Sequence, residues 1–328
     1  MGDRAGARMD LGRTLATNHR HGAIGLVTWR GRDEPEWWTR QDSGRLEKRM
    51  GAGLTSGIGR PGRHLPRRED PIGSLTGGLC GRLRLRAGRG GSIRSRTGRT
   101  DALDFAATIE RAATGLSHRG LCLGDVVGVL APVHPDRFLA SYTVMAVGGR
   151  ALTVLSESDF HTQCAALTET DARLLFVSED LVERALELAE HSRVRQIITF
   201  GSALGTTPFS ELFLPSPDGN GYSPTRGLFD NGLLDYEDTG DGILTTLHTH
   251  HDLLARFAEL RQNLNLRPDD VVAVDDRGDE ATRLALVALA LWIGACVVTG
   301  RDCPPPEGRE VTVECLPEPT RVAHPRAG

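Results

Sequence analysis

Lysine is nearly missing from this chain of 328 residues: Lys48 stands alone against 38 arginines. The bias has the look of a GC-rich coding sequence, and it handicaps any site that needs an ammonium group at a fixed place. Aromatic residues are scarce as well, 5% against 39% hydrophobic and 25% charged, so a core is expected over part of the length only. The six cysteines, Cys80, Cys122, Cys164, Cys296, Cys303 and Cys315, are dispersed with no CxxC pair. The N-terminus lacks the charged start, apolar stretch and small-residue cleavage site of a secretory signal. Both absences predict free thiols in a reducing, cytoplasmic location. The longest uncharged apolar run, LALVALALWIGACVV at 284–298, has 15 residues and an internal glycine. A bilayer needs about 20, so no membrane partner is expected and the run reads as a buried helix followed by a strand.

The net charge of −4 hides an asymmetry: residues 1–100 carry +12 and residues 101–328 carry −16. Twenty of the 39 glycines also fall in residues 1–100, mixed with Arg, Pro and Ser, and no apolar period is sustained there. That composition predicts a disordered, basic segment over 1–100. Its RLRLRAGRGGSIRSRTGR stretch, residues 82–99, holds seven arginines and could neutralise nucleic-acid phosphates. No aromatic residues interleave to stack bases, so a solvated basic tail is the favoured reading and a nucleic-acid partner is not expected. A start assigned too far upstream would be a further explanation of this composition. Trp29, Trp37 and Trp38 form either a small cluster or an exposed trio. The glycine-rich GRGG (88–91) and GLTSGIGRPG (53–62) neither follow a strand nor open a helix, so neither is read as a dinucleotide-binding turn.

From about residue 103 the pattern becomes regular. Phe105, Ile109, Ala112, Ala113 and Leu116 lie at helical spacing and the helix stops at Gly120. VVGVLA (126–131) reads as a strand, Pro135 starts a helix that ends at Gly148-Gly149, and ALTVL (151–155) is the next strand. FHTQCAALTET, RLLFVS, EDLVERALELAEHS and RQIITFG repeat helix, strand, helix, strand. After a Gly/Pro/Ser-rich linking loop at 202–235, strands are expected at 243–247, 271–274 and 296–298, with helices over 249–264 and 280–293. This alternation predicts a doubly wound, mainly parallel α/β sheet. The domain organisation follows: 1–100 basic and disordered, 101–201 a first α/β subdomain, 202–235 the loop, 236–300 a partial second subdomain, and 301–328 a frayed tail.

Three clusters invite chemistry. The carboxylates of Asp275, Asp276, Asp279 and Glu280 could hold magnesium, although a charged loop between strand and helix accounts for them as well. The cysteines lack a neighbouring His and acid, so catalysis by Cys122, Cys164 or Cys296 is not supported and each is expected to pack as core. HTHHD at 248–252 spells H-x-H-x-D and resembles the metal-binding turn of metallo-β-lactamase-like hydrolases. That pattern needs a histidine after the aspartate, where Leu253 stands. Zinc hydrolysis is a minor alternative, and a solvent-facing helix start capped by Thr249 or Asp252 is favoured.

The run GLSHRGLCLGDVVGVLAPVHPDRFLASYTVMAVGGRALTVL, with TETDARLLFVSEDL after it, resembles the N-terminal region of adenylate-forming (AMP-binding) enzymes of the acyl-CoA synthetase and 4-coumarate-CoA ligase branch. THHDLLARFAELRQNLNLRPDDVVAV is similar to the family stretch in which a Thr-His-x-Asn step opens a helix, with Thr249, His250 and Asp252 at the Thr, His and Asn positions. The resemblance covers about residues 97–300 and implies the fold of that N-terminal domain, only part of it being present. In intact relatives it implies ATP, magnesium and CoA as cofactors and the conversion of a carboxylate through an acyl-adenylate to a thioester.

The family's phosphate loop, SGTTGxPKG, turns backbone N–H groups, hydroxyls and a lysine toward ATP. Here the corresponding stretch is YEDTGDGILTTL, residues 236–247, in which Thr239, Gly240 and Gly242 imitate the loop. Leu244 or Thr245 falls where the lysine belongs, and Glu237, Asp238 and Asp241 bring carboxylates toward a triphosphate. At an effective dielectric of about 20, each carboxylate roughly 4 Å from a phosphate charge opposes binding by about 4 kcal/mol before screening. DDRGDE (275–280) replaces the family's aromatic and His-containing turn at the acyl pocket, and what the family places downstream, including its catalytic lysine, has no counterpart here. The expectation is a degenerate acyl-CoA synthetase-like pseudoenzyme with no catalytic residues, no metal site and no required cofactor. Residual nucleotide contact, if present, would fall to Thr239, Gly240, Gly242 and Thr249. The alternative is an interaction module whose exposed apolar surface is covered by another protein chain that completes the domain.

Overall fold

In the computed structural model the described residues are 74–85, 90–213, 231–300 and 302–315, with the backbone of 321–322; all fall in the unit Thr55–Gly328. In chain order they form α1 (Leu75–Leu85), β1 (Ser92–Ser95), β2 (Gly98–Asp101), α2 (Ala102–His118), β3 (Val126–Leu130), α3 (Pro135–Val147), β4 (Arg150–Val154), α4 (Phe160–Glu169), β5 (Leu174–Ser178), α5 (Val182–His191) and β6 (Gln196–Phe200). There follow β7 (Thr207–Pro208), β8 (Gly232–Asp238), β9 (Ile243–Thr249), α6 (His250–Leu264), β10 (Val271–Val274), α7 (Glu280–Ile293), β11 (Cys296–Thr299), β12 (Val313–Glu314) and β13 (Arg321–Val322).

The strands make two sheets, one in the order β7-β6-β5-β3-β4-β8-β9 and one in the order β13-β12-β10-β11-β1-β2. The first is parallel from β7 to β8 and closes with the antiparallel hairpin β8–β9. The second is parallel through β12, β10, β11 and β1, with antiparallel strands at both edges. Parallel strands need helical crossovers and are buried on both faces. Accordingly Leu174–Ser178 is buried throughout, and one face of the first sheet packs Leu130, Leu152, Val154, Leu175 and Val177 against Ala185 and Leu188 of α5.

The punctuation read from the sequence works as expected. Pro135 occupies the first turn of α3, where its missing N–H costs nothing, and Gly148 ends the helix at φ 88° in the left-handed region that glycine enters freely. α7 begins where Asp279 accepts a hydrogen bond from the Thr282 N–H and ends at Gly294, φ 100°. Every residue of α7 but the last is buried, which explains why the 284–298 run is apolar all round. Among the described residues no helix is long and apolar enough to cross a membrane.

Three features depart from the expected organisation. Part of the basic segment is built into the fold: Leu75, Leu79 and Leu83 are buried on α1, and β1 inserts beside β11 in the second sheet. Arginines of this stretch are used internally, Arg82 lying over the Trp292 ring at 5.2 Å and Arg84 pairing with Glu110. Three glycines in α1 weaken its local helix signal, and burial against α2 and α7 overrides it. Residues 1–73, including the tryptophan trio and GLTSGIGRPG, lie outside the described residues. The division at 202–235 also shifts, since β8 starts at Gly232 and the β8–β9 hairpin joins the first sheet, not a second subdomain. Residues 214–230 of that loop lie outside the described residues. Within the tail, β12 and β13 extend the second sheet.

Candidate functional site

The imitation of a phosphate loop is a four-residue turn at the tip of the β8–β9 hairpin, between the paired residues Asp238 and Ile243. Gly240 (φ 80°) and Gly242 (φ 151°) take up the turn. The donors of Thr239 and Gly240 are bonded within the hairpin. The Thr239 N–H and hydroxyl both donate to the Gly242 carbonyl at 3.0 Å, and the Gly240 N–H donates to Asp238 Oδ1 at 2.8 Å. Asp238 Oδ2 in turn accepts from the Thr162 hydroxyl at 2.9 Å, tying the hairpin to α4. Glu237, Asp238 and Asp241 are exposed, and Leu244, where the sequence comparison seeks a lysine, is 56% exposed.

At the other end of β9, Thr249 is not near that turn but caps α6. Its hydroxyl accepts from the Asp252 N–H at 3.2 Å and the Asp252 carboxylate accepts from the Thr249 N–H at 2.8 Å, a reciprocal capping box. The four residues proposed for residual nucleotide contact therefore split into a turn of three and a helix cap. HTHHD does not assemble a metal site. His248 pairs with Asp235 (Nε2–Oδ2 3.1 Å), Asp252 is occupied by the cap, and His250 is fully buried, so the helix start is not solvent-facing throughout as expected. Among the described residues no group of three or more His, Cys, Asp or Glu side chains is placed to hold a metal ion.

The two histidines titrate in opposite senses. Hydrogen bonding to Asp235 outweighs partial burial and, with the charges of Asp235, Asp279 and Asp252, holds the His248 pKa above 6.5. Burial lowers His250 to about 4, against a smaller opposing effect of the Met145 carbonyl. Burial raises four of the thiols. Cys80 and Cys315 are buried and their pKa values raised, Cys315 to about 12, while Cys164 and Cys303 are half-buried and raised. Cys122, expected in the core, is exposed instead, its thiol directed at the Gly120 carbonyl in the turn before β3.

A cleft of about 490 Å³ opens at the carboxyl ends of β3 and β4, beside Asp235 and Tyr236 in the middle of β8, and at the carboxyl ends of β10 and β11 in the other sheet. Such ends are where ligands sit in open α/β sheets. All of DDRGDE but Arg277 lines it, and three of its four carboxylates are drawn into separate arrangements. Asp275 accepts from the Arg277 N–H at 3.0 Å and Nε at 2.6 Å, Asp279 caps α7, and Glu280 is the centre of a buried triad. Arg137 grips Glu280 with two bonds, Nε–Oε1 3.1 Å and Nη2–Oε2 2.7 Å, and Arg283 Nε reaches Oε2 at 2.8 Å. The three residues are only 4%, 3% and 4% exposed. Burial alone would raise the Glu280 pKa, but the two guanidinium charges and their hydrogen bonds overcome it and hold it low. Arg137 also donates to the Ala131 carbonyl, and Arg283 to the Gly278 and Asp275 carbonyls. The triad thus clamps the loop after β3 to the loop after β10. The sequence reading missed this triad; Glu280 and Arg283 three apart in an otherwise apolar helix were its visible half.

No protein-family model matches the chain, and no curated protein matches it either. Solved structures do match. A long-chain-fatty-acid-CoA ligase from Archaeoglobus fulgidus is 20% identical over 75% of this chain and 49% of its own, with a TM-score of 0.56. A putative long-chain-fatty-acid CoA ligase from Rhodopseudomonas palustris is 18% identical over 69% and 56%, TM-score 0.59. An anthranilate CoA ligase in complex with anthranoyl-AMP is 16% identical over 69% and 45%, TM-score 0.59. The chain spans about half the length of these structures. At this level of identity the likeness concerns architecture, and by architecture the chain has the fold of the adenylate-forming acyl-CoA ligases.

Proposed function

We propose that this protein is a degenerate member of the AMP-binding, acyl-CoA ligase-like group that does not by itself carry out ATP-dependent ligation. The observation that carries this reading is the closed hairpin turn: the Thr239 and Gly240 donors are spent on Gly242 and Asp238, and the charges around them are carboxylates. A triphosphate needs backbone donors and a cation aimed outward; at 238–244 the Thr239 and Gly240 donors are committed internally and no lysine or arginine is present. Solvent screening at this exposed tip reduces the electrostatic opposition, so the loss of donors and lysine weighs more than repulsion. The reading entails no resident cofactor and, with the dispersed thiols, a cytoplasmic location. A pyrophosphate-release assay with ATP, magnesium and a panel of fatty and aromatic carboxylates tests it. No turnover above the no-enzyme rate is expected, and turnover abolished by Thr239→Ala would overturn it.

A second reading, an interaction module completed by another chain, is favoured by one feature. β9 is the edge of its sheet, pairs only with β8 among the described residues, and exposes Leu244 through Thr246. Such an uncharged edge is a template for strand addition.

A further inference from the structure

The edge strand β9 has a defined bonding phase. The Thr239 N–H donates to the Gly242 carbonyl and the His250 N–H to the Asn231 carbonyl, and both bonds join residues that continue the β8–β9 register at its two ends. Bonded and non-bonded pairs alternate along an antiparallel ladder. Leu244, Thr246 and His248 therefore turn their backbone groups toward β8, and Ile243, Thr245, Leu247 and Thr249 turn theirs outward. Thr249 agrees with this phase, since its N–H is free to be taken by the Asp252 carboxylate of the helix cap. The N–H and C=O groups of Ile243, Thr245 and Leu247 have no partner among the described residues. Nothing blunts the edge either: Ile243–Leu247 holds no lysine, no proline and no charge.

A second copy of the chain supplies matching groups. With an antiparallel copy related by a twofold axis through Thr245, Ile243 opposes the partner's Leu247, Thr245 opposes the partner's Thr245, and Leu247 opposes the partner's Ile243. These are three bonded pairs of two bonds each, which use every outward group and leave none over. The side chains match as well. Leu247 is partly buried against the core of the first sheet, and the partner's Ile243 on the same face extends that contact; on the other face Leu244, 56% exposed, meets the partner's Thr246. Charge selects the direction. Glu237, Asp238 and Asp241 are exposed around the hairpin tip, and a parallel copy would set tip against tip. The antiparallel copy puts Asp241 opposite the partner's Thr249, about 27 Å along the strand from the partner's Asp241 and well beyond the screening length of about 8 Å.

We propose that β9 is a self-association edge that joins the first sheets of two copies into one continuous sheet across Thr245. The proposal rests on the interaction-module reading and names its partner as a second copy of this chain. Sedimentation velocity of the full chain between about 5 and 300 µM tests it, with a monomer–dimer equilibrium expected within that range. Thr245 is exposed, so Thr245→Lys and Thr245→Glu should keep the fold, which circular dichroism checks. Each alone should weaken association at least about fivefold by setting like charges directly opposite, and an equimolar mixture should restore it as a heterodimer. The proposal is overturned if the parent stays monomeric, if either variant alone dimerises like the parent, or if the mixture stays monomeric. Amide hydrogen exchange separates the two readings: fast exchange at Thr245 and Leu247 in a persistent monomer overturns self-pairing alone. Slow exchange there overturns the interaction-module reading too, because the edge is then covered within the chain.

Discussion

Replacing Glu280 by alanine should unfold the protein far more readily than its single-residue scale suggests. The carboxylate receives three charge-assisted bonds, from Arg137 Nε and Nη2 and from Arg283 Nε, in a region where all three side chains are 5% exposed or less. Its removal leaves two buried guanidiniums facing each other with only backbone carbonyls for partners. Breaking a buried ion pair from one side typically costs about 3–5 kcal/mol, and the second stranded cation argues for the upper half of that range, with Asp275 nearby as partial relief. Replacing all three residues together by Met, Leu and Leu should instead stay within about 1 kcal/mol of the parent, because the desolvation of three charges disappears along with their attraction. Urea unfolding followed by circular dichroism measures both. Since the folded Glu280 pKa lies below its ordinary value of 4.5, the triad's contribution is complete above that pH and lost as pH falls through the lower, folded value. A Glu280→Ala loss of less than about 1 kcal/mol would refute the reasoning, since exposed pairs are worth that much.

Other consequences are as direct. His250 is lowered from 6.5 to about 4, so the unfolded chain takes up a proton that the folded one refuses. Stability should then fall by up to about 3 kcal/mol as pH drops across that interval, and His250→Leu should flatten this part of the profile. His248 acts oppositely: its raised pKa adds stability at low pH that is lost as pH rises through the folded value, and His248→Gln should remove that loss. In α2, a methyl on Gly115 would lie 2.1 Å from the Leu212 carbonyl oxygen, so Gly115→Ala should lower the urea midpoint by the equivalent of about 3 kcal/mol or more. Gly81 in α1 has open space around its added Cβ; Gly81→Ala should raise the midpoint by about 0.5–1 kcal/mol through helix propensity.

What could be read in the sequence was whatever local rules decide. The bounds of α3 and α7 follow from Pro135 and Asp279 at their starts and glycines at their ends, and the Thr249 cap from its spacing to Asp252. The placement of β1 beside β11, 204 residues apart, has no local signal. Nor does α1, whose Leu75, Leu79 and Leu83 spacing is diluted by Gly77, Gly78 and Gly81. The hairpin's lack of a lysine was visible, but the inward turn of its donors depends on Asp238 bonding both Gly240 and Thr162, a tertiary arrangement. The cleft was the least legible part. DDRGDE showed acids in a row, and only folding reveals that Arg137, 143 positions earlier, takes one of them.

The most direct test of the closed phosphate turn is calorimetric titration of the full chain with ATP and magnesium. The inward-bonded donors of Thr239 and Gly240 predict no saturable heat at millimolar nucleotide. A stoichiometric site with a micromolar Kd, lost on Thr239→Ala, would contradict the account.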